Sequence, residues 1–172
     1  TDAYGFINNI KSKYADWSPK KGSSLILGAG GASRAVIAAL LSEGSNKIIV
    51  INRTIEKAEK LKIQFENKII VESWNDLNEI AASSSNIINT TSLGMNDESF
   101  IPINPESIPK EALVSDLVYV PLETKFLKMA RNRKSRTVDG LGMLIHQAIP
   151  GFKNWFGKTP VSTKELRAIL MK

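Results

Sequence analysis

Short apolar runs alternate along the chain with stretches whose apolar residues recur every three or four positions. Phe6, Ile7, Ile10 and Tyr14 have helical spacing behind Asp2, which is placed as an N-cap, and Pro19 to Gly22 closes this opening helix with a turn. Leu25-Ile26-Leu27 reads as a buried strand. A glycine cluster follows, and then a helical stripe of Ala32, Ala35, Val36, Ala39 and Leu40 that Gly44 ends. The unit repeats as a strand over Ile48 to Ile51 and a helix, capped by Thr54, that carries Ala58, Leu61 and Phe65. Because each strand-to-strand connection holds a helix, the strands are predicted to run parallel.

Further strands are predicted at Ile69 to Val71, Asn86 to Asn89, Leu113 to Leu117 and Arg136 to Val138, with helices near Asn75 to Ala82, Thr124 to Arg131 and from Gly140 onward. Asn96 to Pro109, with three prolines, reads as a long loop able to lie over a site. A last helix follows Ser162, where Ser162-Thr163-Lys164-Glu165 has capping-box spacing. The expectation is an α/β fold: a Rossmann-like, doubly wound, mostly parallel six-stranded sheet with helices on both faces. One domain would span 1–172, with the opening helix at 1–18, the sheet core at 23–138 and C-terminal helices at 139–172.

Composition narrows the classes. At 172 residues and 42% hydrophobic, the chain can bury a sizeable core. No apolar run reaches the ~20 residues of a membrane span, so no membrane is expected as partner. With no cysteine and a single histidine, His146, no metal site is expected. A cytoplasmic address fits. The net charge of +6 suits an anionic ligand, but the basic residues are scattered and no nucleic-acid-binding motif accompanies them. The chain opens at Thr1 without a methionine, as a fragment or a processed chain would.

Gly28-Ala29-Gly30-Gly31-Ala32-Ser33, between a predicted strand and a predicted helix, carries the clearest chemistry. Gly28 allows a tight turn, Gly30 lets the backbone approach a pyrophosphate, and the helix start offers free N–H groups to the anion. Ser33 stands where the dinucleotide pattern has Gly or Ala. The plain alternative is a glycine turn without a ligand. NAD binders place a carboxylate about 20 residues further on for the ribose hydroxyl; here the second strand runs into Asn52-Arg53-Thr54. Arg53 can grip a 2′-phosphate bidentately, Asn52 and Thr54 can add hydrogen bonds, and Lys57 adds charge, so NADP is the expected cofactor.

Thr1-Asp2 with Gly5, Gly28 to Arg34, Asn52-Arg53-Thr54, Asn89-Thr90-Thr91-Ser92-Leu93-Gly94-Met95, Asp116-Leu117-Val118-Tyr119 with Pro121 and Thr124, and Asp139-Gly140-Leu141-Gly142-Met143-Leu144-Ile145-His146-Gln147-Ala148 together give a sequence that resembles the shikimate dehydrogenases. The resemblance implies that Thr90, Thr91, Ser92, Leu93, Gly94 and Met95 lie beside the cofactor with Leu117, that Gly140 and Met143 lie against the nicotinamide, and that Tyr119 and Gln147 face the substrate. Asp2 would be the catalytic aspartate of a Lys–Asp pair at the reacting hydroxyl; its alternative is a helix cap. The family's lysine lies in an N-terminal substrate domain outside these residues, which would share the small-molecule substrate with this chain. Leu144 is expected in the helix core, His146 at the core edge, and Asp116 and Asp139 as caps or turn residues.

The implied activity is reversible NADPH-dependent reduction of 3-dehydroshikimate to shikimate, on the route to aromatic amino acids. A quinate-using relative and a non-catalytic NADP(H)-binding module remain as alternatives. A glutamyl-tRNA reductase-like enzyme is disfavoured by the segment from Asp139 to Gln147.

Overall fold

The computed structural model describes residues 1–95 and 99–171, so residues 96–98 of the loop expected over Asn96 to Pro109 lie outside the described residues. Its strands are β1 (Ser24–Leu27), β2 (Ile48–Ile51), β3 (Ile70–Glu72), β4 (Asn86–Asn89), β5 (Leu113–Asp116) and β6 (Arg136–Val138). They form one six-stranded sheet in the order β3-β2-β1-β4-β5-β6, and every pairing is parallel. The strand order reverses between β1 and β4, and outside the carboxyl ends of those two strands an open α/β sheet leaves a crevice.

Every position of β1, β2, β4 and β5 is buried because both faces of the sheet are covered. Their side chains still alternate. Ile26, Val50 and Ile88 point into one core with Phe6, Ile7 and Ile10 of α1 (Asp2–Lys13), Val36, Ile37 and Leu40 of α2 (Gly31–Ser42), and Ala58 and Leu61 of α3 (Ile55–Gln64). Leu25, Leu27, Ile49, Ile51 and Ile87 point into the other, against α4 (Leu77–Ala82) and α5 (Lys125–Asn132). The helix expected near Asn75 starts as a 3-10 turn at Trp74–Asp76.

The long α6 (Gly140–Phe156) lies against α1, and α7 (Lys164–Leu170) follows it. Two caps differ from expectation. Asp2 is the first residue inside α1 with Thr1 ahead of it, and α7 is capped by Thr163, whose hydroxyl accepts from Leu166 N at 3.1 Å, rather than by Ser162. The fifth strand ends at Asp116, leaving Leu117 to the loop. No helix among the described residues is long and apolar enough to cross a membrane.

Candidate functional site

The glycine turn lies on the carboxyl end of β1, at the reversal point. Gly28 has φ +106°, a conformation that favours glycine, and a Cβ there would come within 2.8 Å of Thr91 Cγ2 and 2.9 Å of Thr90 Oγ1. Gly30 and Gly31 are different: a Cβ on either would meet no protein atom within 4 Å. Gly30 is also the N-cap of α2, offers no side chain to its first-turn amides, and that turn has no acidic residue. An open approach to unsatisfied N–H groups fits a pyrophosphate. Ser33 departs from expectation, since its side chain is fully buried and donates to Gly30 O at 2.6 Å. It braces the turn from behind.

At the end of β2, Asn52 Nδ2 donates to Thr54 O at 2.7 Å and shapes the step into α3. Arg53, Thr54 and Lys57 are exposed around the start of that helix, and neither cation forms an ion pair among the described residues. Thr54 occupies the cap position without a side-chain cap bond. A phosphate here would meet one guanidinium, one ammonium, free hydroxyl chemistry and the helix start.

On the other side of β1 the segment after β4 folds back over the glycine turn. Thr90 Oγ1 donates to Leu27 O at 2.7 Å, while Ser92 and Met95 are exposed. Leu93 packs into the core beneath α5, so its side chain supports the loop rather than facing the crevice. Gly94 turns the chain with φ +98°. Beneath this loop lies Asp116, a turn residue whose Oδ1 accepts from the backbone N–H two residues on, and which also reaches well beyond its own turn. It is fully buried, and its carboxylate accepts from Asn89 Nδ2 at 2.8 Å, Val118 N at 3.1 Å and Thr124 Oγ1 at 2.6 Å. Burial pushes its pKa up, against the downward pull of those three donors.

A cavity of about 170 Å³ gathers residues from three places in the sequence: Ala32 from α2, Leu117 and Tyr119 after β5, and Gly140, Met143, Leu144 and Gln147 from α6. Leu144 is therefore partly exposed; Leu141 and Ile145 hold the core side of the helix. Gly140 makes the approach possible, because a Cβ would stand 2.1 Å from Leu117 O. A larger apolar groove of about 450 Å³ shares Tyr119 and Leu144. His146 faces away, into a cavity with Asn9, Ser12 and Arg167, and burial lowers its pKa.

The opening helix is locked to α6 in antiparallel fashion. A Cβ on Gly5 would meet Met143 O at 2.7 Å and Gln147 Cβ at 2.8 Å, while Asn9 Nδ2 donates to Asp139 O at 2.7 Å. Asp139 caps α6, as expected, and pairs with Arg167 of α7 at 2.7 Å. The direction of packing places Asp2, one turn before Gly5, toward the Gln147 end of the cavity. Asp2 is exposed and makes no cap bond or ion pair among the described residues.

Sequence reasoning undervalued Asn89, Asp116, Thr124 and Asn9. For Asn89 and Asp116 the available signal was a polar residue closing each of two buried strands.

The family model described as "Shikimate / quinate 5-dehydrogenase" matches residues 10–98, and "Shikimate 5'-dehydrogenase C-terminal domain" matches residues 140–171. A protein of Brucella abortus (strain S19) named shikimate dehydrogenase (NADP(+)) is 46% identical over 170 residues, covering 97% of this chain and 58% of its own. Quinate dehydrogenase from Corynebacterium glutamicum, solved in complex with NAD, superimposes with a TM-score of 0.89 at 26% identity, over 100% of this chain and 62% of that one. Shikimate 5-dehydrogenase from Thermus thermophilus, solved with NADP(H) and shikimate, gives 0.78 at 36% identity, over 93% and 57%. The chain thus spans somewhat over half the length of these relatives.

Proposed function

The chain belongs to the shikimate/quinate 5-dehydrogenase family, and on that premise we propose that residues 1–172 form the NADP(H)-binding half of an NADP-dependent shikimate dehydrogenase. The carrying observation is the 170 Å³ cavity that joins the first turn of α2 to Tyr119, Met143 and Gln147. It continues the open approach at Gly30 and Gly31 away from Arg53, so one extended ligand can run from the end of β2 to α6.

In this reading the α2 amides hold the pyrophosphate, Arg53 and Lys57 hold the 2′-phosphate with help from Asn52 and Thr54, and Thr90 to Met95, Leu117, Gly140 and Met143 enclose the nicotinamide half. The nicotinamide, when bound, gives or takes a hydride at the substrate carbon. Asp2 acts at the substrate hydroxyl, holding the proton that leaves the oxygen on oxidation and returns on reduction, opposite a lysine of the substrate domain. Tyr119 and Gln147 orient the ring, and Leu117 and Leu144 exclude water. A cytoplasmic address goes with this reading.

The test pairs calorimetry with turnover. The chain alone should bind NADP(H) and oxidise shikimate negligibly, and adding the family's substrate domain should restore the reaction. Failure to bind NADP(H) overturns the reading. Quinate is the second reading, favoured by the superposition on the Corynebacterium enzyme; faster turnover of quinate than shikimate by the reconstituted pair would select it.

A further inference from the structure

Asn89 and Asp116 end adjacent parallel strands and stand directly opposite one another in register. Asn89 uses all of its amide capacity: Nδ2 donates to Asp116 Oδ1 at 2.8 Å and Leu93 O at 3.0 Å, and Oδ1 accepts from Thr91 N at 3.0 Å and Thr91 Oγ1 at 2.7 Å. Thr91 Oγ1 in turn accepts from Leu93 N at 3.1 Å. The other Asp116 oxygen accepts from Thr124, the residue that caps α5 and itself accepts from Leu127 N at 3.2 Å. A buried, fully satisfied polar network of this kind fixes one geometry, because any loosened member is left unpaired away from water.

The network ends at the crevice. Thr91 and Thr90 are the residues that press on Gly28, and Gly94 lies with its Cβ position 3.5 Å from Thr124 Cβ and 3.9 Å from Asp116 Oδ2. The loop it shapes is on the β4 side of the reversal point, whereas Arg53 is on the β2 side, two strand spacings or about 10 Å away. One dinucleotide would therefore have an end that depends on this loop and an end that does not.

We propose that Asp116 is a positioning residue: through Asn89 and Thr124 it holds the loop from Thr90 to Gly94 in the shape that receives the nicotinamide half of the cofactor. The proposal rests on the cofactor reading above.

The test titrates the chain with NADPH and with adenosine 2′,5′-bisphosphate, which carries only the adenine end. Asp116→Ala should weaken NADPH by about tenfold or more, the scale of one orphaned buried hydrogen bond, and leave the bisphosphate within about twofold of wild type. Thr124→Val should show the same split and Thr124→Ser should not, since it keeps the hydroxyl; this pair also serves if Asp116→Ala does not fold. Equal loss of both ligands, or no loss of NADPH, overturns the proposal. A wild-type chain that binds the bisphosphate but not NADPH also overturns it, and one that binds neither overturns the cofactor reading itself.

Discussion

Asn9 Oδ1 occupies the space beside Gly142: a Cβ added to that glycine would fall 1.8 Å from it. The contact joins the middle of α1 to the first turn of α6, and Asn9 cannot swing aside without breaking its bond to Asp139 O. Gly142→Ala should therefore destabilise the fold by about 1–3 kcal/mol, the usual cost of overpacking. Gly151 in the same helix meets nothing within 4 Å, so Gly151→Ala should stabilise by roughly 0.5–1 kcal/mol through helix propensity alone. Urea unfolding of the two variants checks both; a shift of the same sign in each refutes the packing argument.

Arg53 should decide between the dinucleotides. Losing its charge-assisted contact with the 2′-phosphate in Arg53→Ala is expected to cost roughly 1.5–3 kcal/mol of NADP(H) affinity, or about 10- to 150-fold, with NAD(H) affinity nearly unchanged. Calorimetric titration with both ligands measures this, and equal affinity of the unmodified chain for the two would refute it.

At Gly30 the protein itself admits a side chain while a ligand would not. Gly30→Val should leave the circular dichroism spectrum intact, with melting lowered only by the loss of a tolerant N-cap residue, about 1 kcal/mol or less. Dinucleotide binding should vanish. A variant that binds as tightly as wild type would move the phosphate site elsewhere.

Asp2→Asn, in the chain reconstituted with a substrate domain, keeps the shape and removes the carboxylate. Turnover is expected to fall by at least ~10²-fold with NADP(H) affinity preserved. Unimpaired turnover would leave Asp2 as nothing more than the first residue of α1.

The pH dependence of stability has a component that can be isolated, because His146 is the chain's only histidine. Burial lowers its pKa from 6.5, so the unfolded chain takes up a proton first as the solution is acidified. The stabilisation from its neutral form is complete above pH 6.5 and is lost as pH falls through the folded-state value. Its imidazole resonances, followed by NMR, should titrate below 6.5, and His146→Gln should flatten the stability profile in that window. A midpoint at or above 6.5 contradicts this.

The sheet was legible because parallel strands covered on both faces read as unbroken apolar runs between helical stripes, as Ile48 to Ile51 do between α2 and α3. Gly28 was legible too, since the tight turn after β1 demands a positive φ there, whereas the close approach of Gly140 to Leu117 O was not. Side-chain direction within loops was not. Ser33 lies on the buried face of α2, one turn ahead of Val36 and Ile37, and Leu93 points into the protein from the loop after β4, where torsions rather than residue spacing aim it. Asp116 was legible as a turn residue, but its reach to Asn89 was hidden for another reason. Its partner Asn89 is 27 residues away, and only the register of β4 on β5 makes them neighbours.

The lock between α1 and α6 also has a history in time. Asn9 and Asp139 are 130 residues apart, so at ribosomal speeds of about 5–20 residues per second α1 waits roughly 7–26 s for the helix that covers it. Until then Phe6, Ile7 and Ile10 can reach the early strands and α2, but Gly5 and Asn9 face an empty berth. α6 thus completes α1, and a ribosome stalled before Gly140 would release a chain whose sheet is built and whose α1 is still half unclaimed.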